Sequence, residues 1–225
     1  MQTTNTPIFS LLDESVLDSE LFQQAITHRS ASKRNNECLE FLGDSVLSLI
    51  ITEYLYQKLP DASEGELSRL RASLVNGVTL GQIGEENQLG EHIRLGSGEL
   101  RSGGHRRHSI MEDALEAIIG SVFFLKGFDY TKQYVLTIFT DRLNNLPDPD
   151  TLKDPKTRLQ EWLQGNSEPI PVYEVVNVTG QAHNQTFTAE CRIESRGIIV
   201  TGEGSSRRKA EQVAATSALE YLLNG

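Results

Sequence analysis

Apolar positions crowd together after Glu37, where Leu39, Phe41, Leu42, Val46, Leu47, Leu49 and Ile50 leave little polar surface. The pattern predicts a long, largely buried helix that ends near Leu59 and Pro60. Before it, residues 1–10 are polar and expected to be loose, residues 18–27 read as a short helix, and residues 31–36 as a polar, basic loop. After it, Ser63 and Glu66 have the spacing of a capping box, so a helix should run to about Val75 with Glu64 in its first turn. Another short helix is expected around residues 79–86. Residues 95–108 are rich in glycine and cations and read as a flexible stretch. Ser109 and Glu112 repeat the capping-box spacing, predicting a helix through Phe124 that packs by Ile110, Ala114, Ile118 and Val122.

The pattern changes beyond residue 146. Residues 147–153 have the composition of a linker, and Asp154-Pro155 supplies an N-cap with proline at the first helical position, opening a helix that ends at Gly165. Strand signals follow at residues 171–178, 185–194 and 197–201; the middle one alternates, with Phe187, Ala189, Cys191 and Ile193 on one face. A final helix from about Ser205 should pack along Ala210, Val213, Ala214, Ser217 and Tyr221. These are the parts of an α-β-β-β-α unit, an α+β fold with helices on one face of an antiparallel sheet. The expected organisation is an all-α domain over residues 5–146, a linker over 147–153 and the α+β domain over 154–225.

Composition bounds what such a protein does. With 38% apolar and 23% charged residues, this is an ordinary globular composition. No apolar run approaches the roughly 20 residues of a membrane span and no export signal opens the chain, so no membrane partner and a cytoplasmic location are expected. Cys38 and Cys191 fall in different candidate domains, which speaks against a disulfide; each is expected to be a packed thiol, Cys191 in the sheet core. A net charge of −10 argues against a nucleic-acid partner only if the charge is evenly spread. Residues 154–225 hold 7 basic and 9 acidic residues, leaving 14 of the 21 basic against 22 of the 31 acidic for residues 1–153, so the excess acid is local.

The acids have a pattern. On a helix turning about 100° per residue, Glu37, Glu40 and Asp44 fall within an arc of roughly 60°. Alone they fit a solvated acidic face better than a cation site. Asp113 and Glu116, three apart on a second apolar helix, change that balance, because like charges brought together by two packed helices are destabilising without a cation. Hard oxygen ligands suit Mg²⁺, with Mn²⁺ as a substitute. His105 and His108 are expected to face water or phosphate instead. At the other end of the chain, Arg207, Arg208 and Lys209 stand in the first turn of a helix, where cations oppose the helix dipole. A phosphate at that turn would offset the penalty, and the preceding Gly202-x-Gly204-Ser205-Ser206 suits such a site.

The run from Glu37 to Ser45, together with Glu64-Gly65-Glu66-Leu67-Ser68, Ser102-Gly103-Gly104 and the segment from Asp113 to Gly120, resembles the signature of bacterial ribonuclease III. Residues 154–224 are similar to a double-stranded-RNA-binding domain, on Lys156-Thr157-Arg158-Leu159-Gln160-Glu161, on Gly180-Gln181-Ala182-His183 and on the run from Gly204 to Glu211. The resemblance implies a helical endonuclease domain that forms a homodimer. It also implies Mg²⁺ held by Glu40, Asp113 and Glu116, a catalytic cluster completed by Asp44, and Glu37 and Glu64 lining the cleft. The implied reaction is in-line hydrolysis of double-stranded RNA, with staggered cuts that leave 5′-phosphate and 3′-hydroxyl ends, in ribosomal RNA precursors and other structured transcripts. Thr157, Gln160, Glu161, His183, Arg207, Arg208 and Lys209 would touch the RNA, reading A-form shape rather than sequence. The chain departs from the family pattern at Cys38, where arginine is common. A non-catalytic RNA-binding regulator is the rival reading, against which the presence of all four central acids counts; a structural ribosome-associated relative is a third, and it would show no cleavage by the unmutated protein.

Overall fold

The computed structural model describes residues 8–181 and 184–224. The expectations for residues 1–7 and for His183 lie outside the described residues. The chain divides into two compact units, residues 1–152 and 153–225. No helix among the described residues is long and apolar enough to cross a membrane.

The first unit is helical: α1 (Glu14–Leu17), α2 (Glu20–Ala25), α3 (Glu37–Lys58), α4 (Glu64–Leu74), α5 (Gly77–Glu86), α6 (Ser97–Arg101), α7 (His108–Lys126), α8 (Phe128–Ile138) and α9 (Thr140–Asn144). Its core is centred on α3 and α7, where Leu47, Ile50, Ile51, Leu115, Ile118 and Ile119 are fully buried. The two helices approach closely because two glycines allow it. A Cβ placed on Gly43 of α3 would lie 1.7 Å from the Glu116 carbonyl oxygen of α7, and one placed on Gly120 would lie 2.2 Å from the Leu39 carbonyl oxygen. Main chain thus touches main chain at the crossing. The capping box of α4 forms as expected, with the Ser63 N–H donating to Glu66 Oε2 at 2.7 Å and the Glu66 N–H to Ser63 Oγ at 3.4 Å.

Four expectations for this unit need correcting. Helix α3 is buried on one side only: Phe41 is 79% exposed, Leu49 56% and Tyr56 71%. Residues 95–108 are not irregular, since they contain α6 and a 3-10 turn at Gly104–Arg106, with Arg107 paired to Glu99 at 2.7 Å. The expected Ser109–Glu112 capping box does not form, because α7 starts two residues earlier with Arg107 as its N-cap and carries Ser109 inside the helix. Residues 1–10 are not uniformly loose, because Ile8 opens a 3-10 turn and is fully buried.

The second unit runs α10 (Pro155–Gly165), β1 (Val172–Gln181), β2 (Asn184–Ile193), β3 (Ile198–Gly204) and α11 (Arg207–Asn224). Asp154 caps α10, accepting the Thr157 N–H, with Pro155 at the first helical position. The strands pair antiparallel in the order β1-β2-β3, with Tyr173 opposite Cys191 and Ala189 opposite Gly202. Cys191 and Ile193 face a core shared with Leu159 and Leu163 of α10, and Ala189 on the same strand is also fully buried. On α11 the buried residues are Ala210, Ala214, Ala215, Ala218 and Leu219, whereas Val213 and Tyr221 are exposed, so the packing stripe is rotated from the expected one. The reason lies in β3. A Cβ on Gly202 would lie 2.2 Å from the Ala214 N, and one on Gly204 2.6 Å from the Ala210 N, so the strand seats directly on the alanine face. These glycines therefore serve the packing of β3 on α11.

Candidate active site

The crossing of α3 and α7 brings the acids together. Gly43 touches the backbone of Glu116, so the side chains around it, Glu40 and Asp44 on α3 and Asp113 and Glu116 on α7, converge beside one contact. Electrostatics reports the same proximity. Burial raises the Glu116 carboxyl to about 8, and the charges of Asp44, Glu112, Glu40 and Asp113 push it the same way. Glu40 is also raised, first by burial and then by Asp113, Glu37 and Glu112. Burial raises Asp113 too, with His28 and Arg29 pulling against it.

Glu112 is a member of this cluster that the spacing arguments missed. Burial raises its carboxyl, and Asp113 and Asp44 add to the effect. Its carboxylate lies against the first residue of α5, since a Cβ on Gly77 would meet Glu112 Oε2 at 2.4 Å. The signal was available: Glu112 precedes Glu116 by four residues and therefore shares its face. Assigning it to a cap concealed that.

Glu40, Asp113 and Glu37 line a recess of about 240 Å³ together with His28, Arg29 and Asn36. Glu37 is held at the rim, accepting from the Asn35 side chain at 3.1 Å and from Arg29 at 3.5 Å. Glu64 sits apart in the first turn of α4, where it accepts the Ser68 hydroxyl at 2.7 Å, and it does not line this recess. His108 opens α7 and meets Glu85 at 3.2 Å, while His105 keeps a buried Nδ1 without a partner, so neither belongs to the acidic cluster. Cys38 is exposed rather than packed, whereas Cys191 is buried as expected. Among the described residues, no three His, Cys, Asp or Glu side chains close on one point as a ready-made ion cage.

In the second unit Arg207, Arg208 and Lys209 are exposed in the first turn of α11. Ser206 Oγ accepts the Lys209 N–H at 3.3 Å. Arg207 is steadied by Glu211 at 2.8 Å, a carboxylate only 7% exposed that also takes Lys156 at 2.7 Å. The two cations hold the Glu211 carboxyl below its ordinary range even though burial opposes them. On α10, Gln160 is exposed, Glu161 pairs with Lys153 at 2.7 Å, and the Thr157 hydroxyl donates to Asp154 at 2.7 Å.

Comparison with known proteins agrees with both units. Residues 18–143 match the Ribonuclease-III-like family and residues 155–222 the double-stranded RNA binding motif. The chain is 51% identical over 224 residues to ribonuclease 3 of Vibrio vulnificus strain CMCP6, covering 98% of this chain and all of that protein. It is 53% identical over 205 residues to ribonuclease 3 of Shewanella denitrificans, covering 91% of each. The nuclease domain of ribonuclease III from Campylobacter jejuni superposes with a TM-score of 0.56 at 38% identity, over 66% of this chain and 99% of that one. A helical unit whose acids meet at one helix crossing, a binding motif C-terminal to it in the sequence and relatives matched over 91% to 100% of their length lead to one assignment: the chain belongs to the ribonuclease III family of endoribonucleases.

Proposed function

We propose that this endoribonuclease hydrolyses phosphodiester bonds of double-stranded RNA with Mg²⁺, for which Mn²⁺ substitutes, leaving 5′-phosphate and 3′-hydroxyl ends with staggered cuts. The observation that carries the reading is the interhelical carboxylate cluster, in which Glu116 is raised to about 8 by burial and four neighbouring acids. Such a cluster stores repulsion that a divalent cation relieves. Glu40, Asp113 and Glu116 are the proposed ligands, with Asp44 completing the cluster and Glu37 and Glu64 along the cleft. The donor set fits Mg²⁺, which keeps several waters and takes one or two carboxylates plus substrate phosphate rather than a closed protein cage. Bound there, the ion supplies Lewis-acid polarisation of the phosphate and ionises water near neutral pH. The protein's own contribution is position. The main-chain contact at Gly43 fixes the spacing of the carboxylates, and the bed of buried aliphatic residues beneath them lowers the local dielectric.

The second unit is proposed to supply most of the affinity for RNA, through Arg207, Arg208 and Lys209 on the phosphates and Thr157, Gln160, Glu161 and His183 in the minor grooves. Ribosomal RNA precursors and other structured messenger and transfer RNA transcripts in the cytoplasm are the proposed substrates. Incubation of the purified protein with a long RNA duplex is expected to give short fragments bearing 5′-phosphates when Mg²⁺ is present and intact RNA when it is chelated. Intact duplex in both arms would overturn the reading.

A homodimer is also proposed. Phe41, Leu49 and Tyr56 lie within about 80° on the open side of α3, and Phe124, 71% exposed on α7, adds to the uncovered apolar surface. Apolar side chains this large and this exposed mark a protein contact. Phe41→Glu is expected to convert a dimer to a monomer in sedimentation and to abolish double-strand cutting. An unchanged sedimentation coefficient would count against this face.

A further inference from the structure

The recess beside the acids holds a side chain that its structural surroundings do not explain. Asn36 is 2% exposed, and its Nδ2 is buried without a hydrogen-bond partner. It occupies the N-cap position of α3, yet its side chain makes no capping bond; the Glu37 N–H goes to Asn35 Oδ1 at 3.0 Å instead. A buried, unpaired amide weakens a fold, so its presence needs another account. His28, 8% exposed, stands in the same recess. Its Nδ1 accepts the Ser30 backbone N–H at 3.2 Å and lies 2.8 Å from Ser30 Oγ, and that hydroxyl accepts the Gly96 N–H at 2.9 Å. With Nδ1 accepting, the neutral ring carries its proton on Nε2. The recess is therefore lined both by carboxylates, from Glu37, Glu40 and Asp113, and by nitrogen donors, from Asn36, His28 and the Arg29 guanidinium, the last already meeting Glu37 at 3.5 Å. A group that suits both is an anion that also approaches a cation, and a phosphate is such a group.

We propose that Asn36 and His28 form a phosphate subsite, in which the Asn36 amide and the His28 ring donate to the non-bridging oxygens of an RNA phosphate seated next to the ion held by Glu40 and Asp113. The assignment rests on the proposed function of the acidic cluster. The phosphate is either an internal diester of the bound duplex or the terminal 5′-phosphate of a cut product, which share the same oxygens.

Three variants of the full chain test this. Asn36→Leu keeps the branched outline of the side chain and removes the stranded donor; it is expected to melt no lower than the wild type, to bind duplex RNA in Ca²⁺ within about threefold, and to cleave in single turnover roughly 10- to 100-fold more slowly. Asn36→Asp puts a carboxylate where the phosphate would sit and should be slower still. Competing product duplexes with 5′-phosphate or 5′-hydroxyl ends separate the two sources: a preference for the phosphorylated competitor that Asn36→Leu abolishes identifies the terminal phosphate, and slowed cleavage without it identifies the internal diester. The subsite is overturned if Asn36→Leu cleaves at the wild-type rate, if it melts several degrees lower, which would make the amide structural, or if Asn36→Asp stays active at reduced Mg²⁺, which would make it a ligand of the cation. Glu116→Gln serves as the control. Wild-type protein that leaves duplex RNA uncut, or a Glu116→Gln variant that cuts it, refutes the underlying reading rather than the subsite.

Discussion

Glu116→Gln is expected to lower cleavage of duplex RNA by at least about a thousandfold, the upper end of the cost of losing one preorganised electrostatic group, while duplex binding in Ca²⁺ stays within a few fold. The substitution is nearly isosteric and removes the ionisable oxygen from the most strongly perturbed acid of the cluster. Stability should move the opposite way. A carboxyl raised from 4.5 to about 8 binds its proton more tightly in the fold than in the unfolded chain. Its contribution to the metal-free protein is therefore full below 4.5 and is lost as pH rises through about 8. Between those limits the metal-free wild type should lose stability with rising pH, and Glu116→Gln should flatten that loss. Mg²⁺ should reverse it in the wild type by holding the carboxylate form, and should do so far less in the variant. Calorimetric melting at pH 6 and 9, with and without Mg²⁺, checks the signs; a variant with the same pH slope as the wild type would remove Glu116 from the cluster.

Gly43→Ala should be the most damaging one-carbon change in the first unit. On an open helix surface it would stabilise by up to about 1 kcal/mol. Here the added carbon would stand 1.7 Å from the Glu116 carbonyl oxygen, and a backbone oxygen cannot rotate away as a side chain can. The helices must separate, at a cost of about 3 kcal/mol or more, or a fall in Tm of roughly 6 to 12 °C. Displacing the acids by about an ångström should cost a further hundredfold or so in rate. Gly98→Ala is the control, because a Cβ there meets nothing within 4 Å. Equal melting temperatures for the two alanine variants would show that α3 and α7 are not locked at this point.

How much of this could be read from the sequence depended on whether a signal was local. The capping box at Ser63 and Glu66 and the cap at Asp154-Pro155 form as the sequence indicates, because a cap depends on a few adjacent residues. The meeting of Glu40, Asp44, Asp113 and Glu116 followed from helical spacing once two helices were assumed to pack. What escaped depended on partners. Hydrophobic spacing identified Phe41 and Leu49 as apolar without saying whether they face their own core or another surface. The stripe of α11 was misplaced because alanines seated on Gly202 and Gly204 weigh less in a hydrophobic pattern than an exposed Val213 or Tyr221. Asn36 and His28 carry no spacing signal, because only the packing of the loop before α3 brings them beside the acids.

The Gly43–Gly120 contact also bears on what the rest of the core is free to do. Atoms of the peptide chain set the gap between the two acid-bearing helices, so that gap is a gauge whose length no side chain determines. Aliphatic exchanges at Leu47, Leu80 or Ile118 alter what surrounds the gauge and leave its length alone. The interior can therefore drift through many substitutions while the reactive carboxylates keep the same separation, provided those two positions stay without a side chain.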